Sequence, residues 1–375
     1  MGPLSGLKVV EIEGLGPAPF CGMLFADLGA EVISITRKSS SKARPESISE
    51  RGKKTIALNL KDPEAIEIVL SLCERADVFT EGFRPGVAER LGIGPEQCMN
   101  RNPKLVYGRM TGWGQTGPLA SAAGHDINYI SLSGALHAIG RAGERPLPPL
   151  NLVGDFGGGG MFLAFGVMYA AWEAQRSGQG QVVDVSMVEG SAALMHMMYG
   201  MLASRVWADD RGSNMLDGAA HFYDTYETAD GKYVSIGSIE PQFYQKLIEL
   251  AELDPEEFAP QLDISQWADL KSKLTQVFGR KTRDEWCSIM EGTDVCFAPI
   301  LSMNEAANHP HNVARGSFIE IEGVNQPAPA PRFDRTVPST PESARPAGSD
   351  TDSVLSELGF EQQKIDDLRA SGVLT

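Results

Sequence analysis

Residues 8–35, KVVEIEGLGPAPFCGMLFADLGAEVISI, decide the fold of this chain. The run from Lys8 to Ile12 is short and β-branched, and the run from Glu31 to Ile35 is a second one. Between them a glycine-containing turn leads to Pro17, which favours a helix start, and Gly29 ends that helix. A strand, a helix and a second strand connected in this way predict a parallel pair.

The same alternation continues outward from this unit and predicts an α/β fold with a large Rossmann-like parallel sheet covered by helices. Further strands are expected at 55–60, 78–79, 105–110 and 182–186. Helices are expected at 62–75, 85–91, 161–175 and 187–202.

A second, smaller α/β domain is predicted after a polar linker at 207–220. Its strand is expected at 232–236 and its helices at 241–252, 267–278 and 283–291. The amphipathic stretch 350–368 predicts a terminal helix that packs back on the body. The methionines of 187–202 are interpreted as core packing.

Composition excludes several classes of function. The formal net charge of −16 argues against nucleic acid and anionic membranes as partners. No stretch of eighteen uncharged apolar residues is present, so no membrane span is predicted. The five cysteines form no Cys-x-x-Cys pair and the six histidines show no metal-ligand spacing, so no metal site is expected.

The expected compartment is the cytoplasm. The N-terminal residues lack the pattern of a signal peptide. The final residues Ser371 to Thr375 are not the Ser-Lys-Leu peroxisomal address. An organelle matrix, such as that of a peroxisome or mitochondrion, stays open as the alternative.

The segment 37–61 carries a net positive charge in a chain that is negatively charged as a whole. Between residues 37 and 61 there are eight basic residues and two acidic ones, Glu46 and Glu50. The basic residues are Arg37, Lys38, Lys42, Arg44, Arg51, Lys53, Lys54 and Lys61. This surplus predicts a site for a phosphate-bearing small molecule. The alternative is a solvated basic face.

The turn at 14–19, GLGPAP, resembles a dinucleotide-binding turn but lacks two of its requirements. Pro19 occupies the third glycine position, and Pro17 removes a backbone donor that a pyrophosphate would need. The second strand ends in Arg37 rather than in an acid that would hold a ribose. A nicotinamide cofactor is therefore not expected.

His125 and Asp155 are the candidate proton-transfer pair. His125 lies in GHDINY at 124–129, where Gly124 and Asp126 make an apolar core setting unfavourable. Asp155 precedes four glycines that lead into an apolar helix. Its alternative role is a helix cap. Four glycines exceed what a cap needs, and they predict a close approach of a ligand to a helix N-terminus.

Glu240 follows a predicted strand and precedes Pro241 at a helix start. In this position a carboxylate is favoured by the helix dipole alone. The alternative is a functional one, because a histidine base needs a second group to hold its tautomer and orientation. The sequence pattern by itself favours the first interpretation.

Several motifs together resemble the α-methylacyl-CoA racemases, within the wider group of family III CoA-transferases. The resemblance runs from about residue 4 to about residue 340. Its motifs are PAPFC at 17–21, RGKK at 51–54, GWGQTGP at 112–118, GHDINY at 124–129, GDF at 154–156, NMLDG at 214–218 and IEPQFY at 239–244.

The resemblance implies a two-domain chain in an interlocked homodimer. The large CoA-binding Rossmann-like domain would comprise 1–186 and 330–375, and the small α/β domain 222–312. Linkers would span 187–221 and 313–329. The active site would lie between the large domain of one subunit and the small domain of the other.

The resemblance also implies roles for individual residues. His125 and Asp155 match the two acid/base residues, and Glu240 matches the carboxylate that supports the histidine. Asp126, Asn151 and Tyr223 match the surrounding polar network. The residues expected around the CoA phosphates and adenine are Arg37, Arg51, Arg84 and Arg90, with Lys54 from the basic segment.

The implied reaction is interconversion of (R)- and (S)-2-methylacyl-CoA thioesters through an enolate. His125 would serve the S substrate and Asp155 the R substrate. No cofactor is implied, since CoA is part of the substrate. Two alternative functions remain open. In CoA transfer Asp155 would be a nucleophile that forms an anhydride, and a CoA-binding scaffold would have no activity.

Overall fold

The computed structural model describes residues 2–40, 42 and 45–375 of the chain. It contains two compact units. The first consists of Met1–Ser133, Leu150–Leu194 and Gly316–Thr375, and the second of Gly134–Pro149 and Met195–Arg315. Strands and helices are numbered below along the whole chain.

The first unit is built on a six-stranded parallel sheet. Its strands are β1 (Lys8–Ile12), β2 (Glu31–Thr36), β3 (Lys54–Ala57), β4 (Val78–Glu81), β5 (Val106–Thr111) and β6 (Val182–Ser186). Their order is β3-β2-β1-β4-β5-β6, and each neighbouring pair is parallel. The predicted α/β fold with a Rossmann-like sheet is confirmed. The strand order reverses between β1 and β4, and ligands of such sheets bind at this point.

Helices connect the strands and cover the sheet. In the first unit they are α1 (Pro17–Asp27), α2 (Pro63–Arg75), α3 (Val87–Leu91), α4 (Pro95–Arg101), α5 (Asp126–Leu132), α7 (Phe162–Ser177), α8 (Met187–Leu194), α15 (Thr351–Leu358) and α16 (Gln362–Ala370). Local chemistry sets their ends. The Asp62 carboxylate caps α2 by accepting the Glu64 N–H at 2.9 Å. Gly178 ends α7 in the left-handed conformation.

The C-terminal stretch packs back on the sheet, as predicted, but as two helices rather than one. Gly359, with φ 97°, ends α15 and separates it from α16. Leu355, Ile365 and Leu368 are buried in the same apolar cluster as residues of β1 to β3. Burial of these side chains fastens the end of the chain to the sheet.

Residues Leu152–Met161 form a π-helix that runs directly into α7. The prediction of a helix beginning after the glycines is therefore wrong, because the glycines are themselves helical. Leu152–Ser177 together have the length and apolar composition of a membrane span. Leu163 and Val167 nevertheless face the sheet, within 3.1 Å of where a Cβ on Gly108 of β5 would lie. This is the contact of a core helix.

The second unit contains an antiparallel sheet of β7 (Tyr223–Glu227), β8 (Tyr233–Gly237) and β9 (Phe297–Ile300). Its helices are α6 (Ala135–Ala138), α9 (His196–Ala203), α10 (Pro241–Leu250), α11 (Trp267–Phe278), α12 (Arg283–Met290), α13 (Met303–Ala306) and α14 (Pro310–Arg315). Large aromatic side chains fill its core, among them Phe222, Phe278 and Trp286.

The predicted domain ranges stay a prediction, and the compact units differ from them in two ways. Residues 134–149 belong to the second unit, because Arg211 donates to the carbonyl of His137 at 2.8 Å and Arg141 pairs with Asp224 at 2.6 Å. The expected linkers also contain regular structure. Helices α8 and α9 lie within 187–221, and a hairpin of β10 (Phe318–Ile321) and β11 (Val324–Pro327) lies within 313–329.

The methionine-rich stretch is divided between helices α8 and α9. Met187 is buried in the core of the first unit, as expected for core packing. Met197 is 49% exposed, so the core interpretation does not extend along the whole stretch.

Candidate active site

The candidate site lies at the carboxyl ends of β1, β4 and β5, where the strand order of the sheet reverses. A pocket of about 270 Å³ occupies this edge. Its walls include Gly14 and Pro17 after β1, Gly82 and Arg84 after β4, and His125 at the start of α5.

His125 is the N-cap of α5 and its side chain is exposed. Its backbone N–H donates to the Asn128 side chain at 3.0 Å, and its carbonyl accepts the Asn128 N–H at 2.8 Å. Tyr129 of the same helix donates to the Gly124 carbonyl. These bonds fix the backbone on both sides of His125, so the imidazole extends from a fixed position in the pocket wall.

Asp155 lies in the π-helix, half-buried, and is held by two polar neighbours. Its backbone N–H donates to Asp126 Oδ1 at 2.7 Å. Its carboxylate Oδ2 accepts from Asn151 Nδ2 at 3.1 Å. The structure thus brings together three of the predicted residues, Asp126, Asn151 and Asp155.

Burial is the main cause that raises the pKa of Asp155 above its usual value, and the charge of Asp126 adds to it. The hydrogen bond from Asn151 and the charge of His125 act in the opposite direction. Asp155 therefore lies within the electrostatic influence of the His125 imidazole. A carboxyl group with a raised pKa is suited to exchange a proton near neutral pH.

Two glycines make this arrangement possible. A Cβ on Gly154 would lie 2.5 Å from Asp126 Oδ1, so a side chain there would displace the Asp126 carboxylate. Gly16, with φ 72°, lies close to Asp155, since its Cβ would lie 3.2 Å from Oδ2. The turn that lacks the requirements of a dinucleotide site therefore borders the candidate acid instead.

The glycine run itself packs against protein rather than making room for a ligand. A Cβ on Gly158 would lie 2.6 Å from the Ser191 nitrogen, and one on Gly160 would lie 2.8 Å from the Pro17 carbonyl oxygen. These glycines allow α8 and α1 to approach the π-helix. The prediction that they open a helix N-terminus to an anion is corrected accordingly.

Tyr223 and Glu240, also predicted as site residues, belong to the second unit. Tyr223 is the first residue of β7. Glu240 is the exposed N-cap of α10, and its carbonyl accepts the N–H groups of Phe243 at 3.0 Å and Tyr244 at 2.9 Å. The expected position at a helix start is confirmed for Glu240, while its support of His125 stays a prediction.

A second pocket of the first unit, about 730 Å³, lies beside the carboxyl ends of β1 to β3. The basic residues Arg37, Lys38 and Lys61 line it, together with apolar side chains that include Phe83 and Leu91. An apolar slot with a basic rim suits a nucleotide-like group that carries phosphates. Arg37 lines this pocket, and its role in binding CoA stays a prediction.

Arg51 and Lys54, by contrast, are occupied by carboxylates. Arg51 is 3% exposed and donates to both oxygens of Asp27, at 2.9 and 2.5 Å. Its remaining nitrogen donates to Gln326 Oε1 at 2.7 Å. Lys54 pairs with Glu31 at 2.7 Å and Glu357 at 3.2 Å. The predicted phosphate-binding role of both residues does not fit these surroundings.

Three of the eight basic residues between 37 and 61 are thus paired with carboxylates from other parts of the chain. Lys53 is the third of them, since its Nζ lies 2.6 Å from Glu11 Oε1. Arg44 lies outside the described residues. Arg84 lines the smaller pocket and Arg90 lies exposed on α3, so both remain available to a ligand.

Two charged residues of the sheet were missed. Glu81 ends β4 and Arg109 lies in β5, both buried, with Arg109 Nε 3.0 Å from Glu81 Oε1. The available signal was an arginine inside a predicted buried strand, which requires a partner. In the part of the chain that the structure describes, no group of three or more His, Cys, Asp or Glu side chains is arranged to hold a metal ion.

Comparison with known proteins places the chain in one family. The profile of CoA-transferase family III matches residues 4–351. The chain is 46% identical to the alpha-methylacyl-CoA racemase of Mus musculus over 374 residues, 99% of this chain and 97% of that protein. It is 44% identical to the alpha-methylacyl-CoA racemase of Homo sapiens over the same shares. A crystal structure of a CaiB/BaiF family protein from Brucella suis superimposes with a TM-score of 0.82 and 25% identity, covering 95% of this chain and 99% of that one.

Proposed function

This chain belongs to the family III CoA-transferases, and we propose that within this family it interconverts the (R) and (S) forms of 2-methylacyl-CoA thioesters. One combination carries the proposal. Near full-length similarity to two racemases occurs in a chain that has an imidazole on the wall of one pocket and a half-buried carboxyl group within the electrostatic influence of that imidazole. Inversion at carbon requires such a pair, because one base alone returns the proton mainly to the face it left.

His125 and Asp155 divide the proton transfers between them. With an (S) substrate, neutral His125 removes the α-proton and protonated Asp155 delivers one to the other face. With an (R) substrate, ionised Asp155 removes the proton and protonated His125 delivers one. Burial raises the pKa of Asp155 above its usual value, which favours its acting as an acid as well as a base.

The enolate oxygen needs hydrogen-bond donors, and the first turn of α5 offers them. Asp126 is the first residue of that helix. The N–H groups of a first helical turn have no acceptor within the helix, and the helix dipole adds a partial positive charge. Donors of this kind stabilise a developing oxyanion without rearrangement. No step in this scheme needs a metal or a redox group.

The test follows the α-hydrogen. Purified protein is incubated with (R)-2-methylacyl-CoA in deuterated buffer, and the product is analysed for deuterium and for chirality. We expect deuterium incorporation together with inversion. Exchange without inversion would indicate one working base, and neither exchange nor inversion across several acyl chains would refute the proposal.

CoA transfer is the second candidate, favoured by the half-buried carboxyl group of Asp155 in a chain of this family. In that reaction the Asp155 carboxylate attacks the thioester carbonyl, CoA thiolate leaves, and an acyl anhydride forms. The CoA thiolate then attacks the aspartyl carbonyl of this anhydride, which releases the donor acid and leaves an aspartyl-CoA thioester. A free acid acceptor displaces CoA from that thioester to form a second anhydride, and CoA attacks its acyl carbonyl, which gives the new CoA thioester and frees Asp155. Adding such an acceptor and searching for a new CoA thioester decides between the two, and we expect none.

We further propose that the protein works as a homodimer, in which Glu240 and Tyr223 complete the site. One apolar stripe supports an interface: Met161, Phe165, Tyr169 and Trp172 follow helical spacing along α7 and are each at least half exposed. Light scattering measures the assembly directly. A dimer in wild-type protein that dissociates in Trp172→Glu supports the proposal, and a wild-type monomer contradicts it.

Complementation tests whether the site is shared. His125→Ala and Glu240→Ala chains are co-expressed with different tags, and the mixed dimer is isolated. If each site takes one residue from each subunit, one of its two sites contains both intact residues, and activity returns to about half of wild type. If both residues come from one chain, the mixed dimer stays inactive.

A further inference from the structure

We infer that a charge network of Glu81, Arg109 and Glu89 positions the segment 82–91 between the two pockets and thereby sets the affinity for acyl-CoA. The inference rests on the proposed function for the identity of the ligand. The network contacts neither candidate acid/base residue, so it would act through the segment that it holds.

The segment 82–91 forms part of the wall of both pockets. Gly82, Phe83 and Arg84 line the smaller one beside His125. Phe83 and Leu91 also line the larger one beside Arg37. The segment carries two exposed arginines that the sequence assigns to CoA binding, Arg84 and Arg90. A shift of this segment would therefore change the spacing between the nucleotide end and the thioester end of a bound ligand.

Glu81 holds the beginning of the segment. Its side chain is fully buried at the end of β4, and its Oε2 accepts the Phe83 N–H at 2.6 Å. Its Oε1 accepts from Arg109 Nε at 3.0 Å. Both carboxylate oxygens are therefore used, one by the segment and one by the sheet. Burial raises the pKa of Glu81 to about 7, so without Arg109 the carboxylate would be costly to keep charged.

Arg109 connects this beginning to the middle of the segment. It lies opposite Glu81 in the parallel register of β4 and β5. Its two terminal nitrogens hold the carboxylate of Glu89 at 2.7 and 3.3 Å, a fork geometry that fixes direction as well as distance. Arg90 is the neighbour of Glu89 on the same helix. The contact of Glu89 with Arg109 therefore holds the backbone of Arg90 in a fixed position relative to the sheet.

Helix α3, which carries Glu89, requires such an external support. It has five residues, and glycines with left-handed φ angles, Gly86 at 79° and Gly92 at 84°, lie on either side. A helix this short is not stable by itself. A second hydrogen bond from the sheet lies just after this helix, where the Tyr107 hydroxyl of β5 donates to the Ile93 carbonyl at 2.8 Å. Strand β5 thus fixes both α3 and the residue beyond it.

The experiment separates positioning from simple stabilisation. Glu89→Gln keeps the shape of the side chain and removes the charge of a partly exposed residue, so the fold should persist. CoA affinity is measured by calorimetry, and KM and kcat are measured with (R)-2-methylacyl-CoA. We expect Kd and KM to rise about threefold to tenfold, with kcat within about twofold of wild type. Arg109→Lys, which loses the fork, should act in the same direction more strongly.

Asp352→Asn is the matched control. It removes an exposed carboxylate that pairs with Arg369 between α15 and α16, outside both pockets. We expect its Kd, KM and kcat to equal those of wild type. Thermal unfolding of all three variants reports any general loss of stability.

The outcomes distinguish this inference from the proposed function. Unchanged Kd and KM in Glu89→Gln would overturn the positioning role, as would a loss of stability and kcat without a change in affinity. Wild-type protein that binds CoA without racemising would refute the proposed reaction, and the calorimetric comparison would still decide on the network. Wild-type protein that does not bind CoA would overturn both.

Discussion

The polar cluster around Asp155 and the ion pair of Glu11 with Lys53 place carboxyl groups inside the same unit, but only Asp155 lies against the 14–17 turn that lines a pocket. Glu11 of β1 is 2% exposed and lies 2.6 Å from Lys53 Nζ, which also donates to the Pro19 carbonyl. Burial raises the pKa of both Glu11 and Asp155. A raised pKa therefore does not by itself identify a functional carboxyl group, and access to ligand must accompany it.

The basic residues of the first unit show the same contrast. Arg51 and Lys53 form ion pairs with buried carboxylates, and these pairs hold the segment 51–54 against α1 and β1. Arg37 and Lys38, which come earlier in the chain, line an open pocket. The sealed pairs should govern stability, and the open groups should govern binding and turnover. The following substitutions test that division.

The largest effect is expected at the open cluster. His125→Ala and Asp155→Ala should each lower racemase turnover by about two to four decades, the usual range for lost acid/base catalysis. The thermal midpoint should change little, because His125 is exposed and Asp155 is half-buried. Chiral analysis of the product measures the turnover, and calorimetric melting measures the thermal midpoint. Unchanged turnover in either variant would remove that residue from the mechanism.

The sealed pair should show the reverse behaviour. Lys53→Met leaves the Glu11 carboxylate buried without its cation, which should lower the free energy of unfolding by about 3–5 kcal/mol. Turnover per folded molecule should stay within about twofold of wild type. Urea unfolding measures the loss. A double variant, Glu11→Leu with Lys53→Met, should recover part of the stability because no charge is left unpaired.

The pH dependence of Lys53→Met sharpens this prediction. Burial raises the pKa of folded Glu11 from its ordinary value of 4.5 to about 7, so its contribution to stability is present below pH 4.5 and is lost as pH rises through 7. Lys53 lowers that pKa in the wild type. The stability lost on substitution should therefore be larger at pH 8 than at pH 5. Equal losses at both pH values would contradict this account of the pair.

A smaller effect is expected from Arg37→Ala. Arg37 is exposed on the rim of the larger pocket, so its removal should raise KM for acyl-CoA about tenfold, the value of one charge-assisted contact to phosphate. Stability should not change. Arg51→Ala is the comparison, and it should lower stability by leaving Asp27 buried and unpaired. A large loss of stability in Arg37→Ala would remove the distinction between the two arginines.

The smallest effect concerns the pH profile. The hydrogen bond from Asn151 lowers the pKa of Asp155, so Asn151→Ala should raise that pKa further. In the proposed reaction ionised Asp155 is the base for the (R) substrate, so the acid limb of kcat/KM in that direction should move to higher pH. Rates measured across a buffer series check the direction. A shift to lower pH would show that Asn151 acts on another group.

Much of the fold could be predicted because it depends on short-range patterns. The β-branched runs at β1 and β2 and the Pro17 helix start follow from a few neighbouring residues, and all three are confirmed. The π-helix could not be predicted. Glycines usually break helices, and here Gly158 and Gly160 stay helical because α8 and α1 pack against them.

The candidate site shows the same division. His125 and Asp155 stand out in the sequence because polar residues beside glycines differ from their apolar surroundings. Their influence on each other, and the bonds from Asp126 and Asn151, depend on contacts across the fold. The basic segment was misjudged for Arg51 and Lys54 because a count of charges along the chain does not include Asp27 and Glu31.

By itself, the sequence determined the α/β class, the strand–helix–strand units and the residues suited to proton transfer. Periodicity and residue chemistry act over a few neighbouring positions, so these features can be read from the sequence. Only the tertiary structure decided which charges remain available to a ligand. The ion pairs Asp27–Arg51 and Glu11–Lys53 join residues 24 and 42 positions apart. Burial makes such pairings obligatory, because a charged group removed from water must find a partner wherever the fold places one.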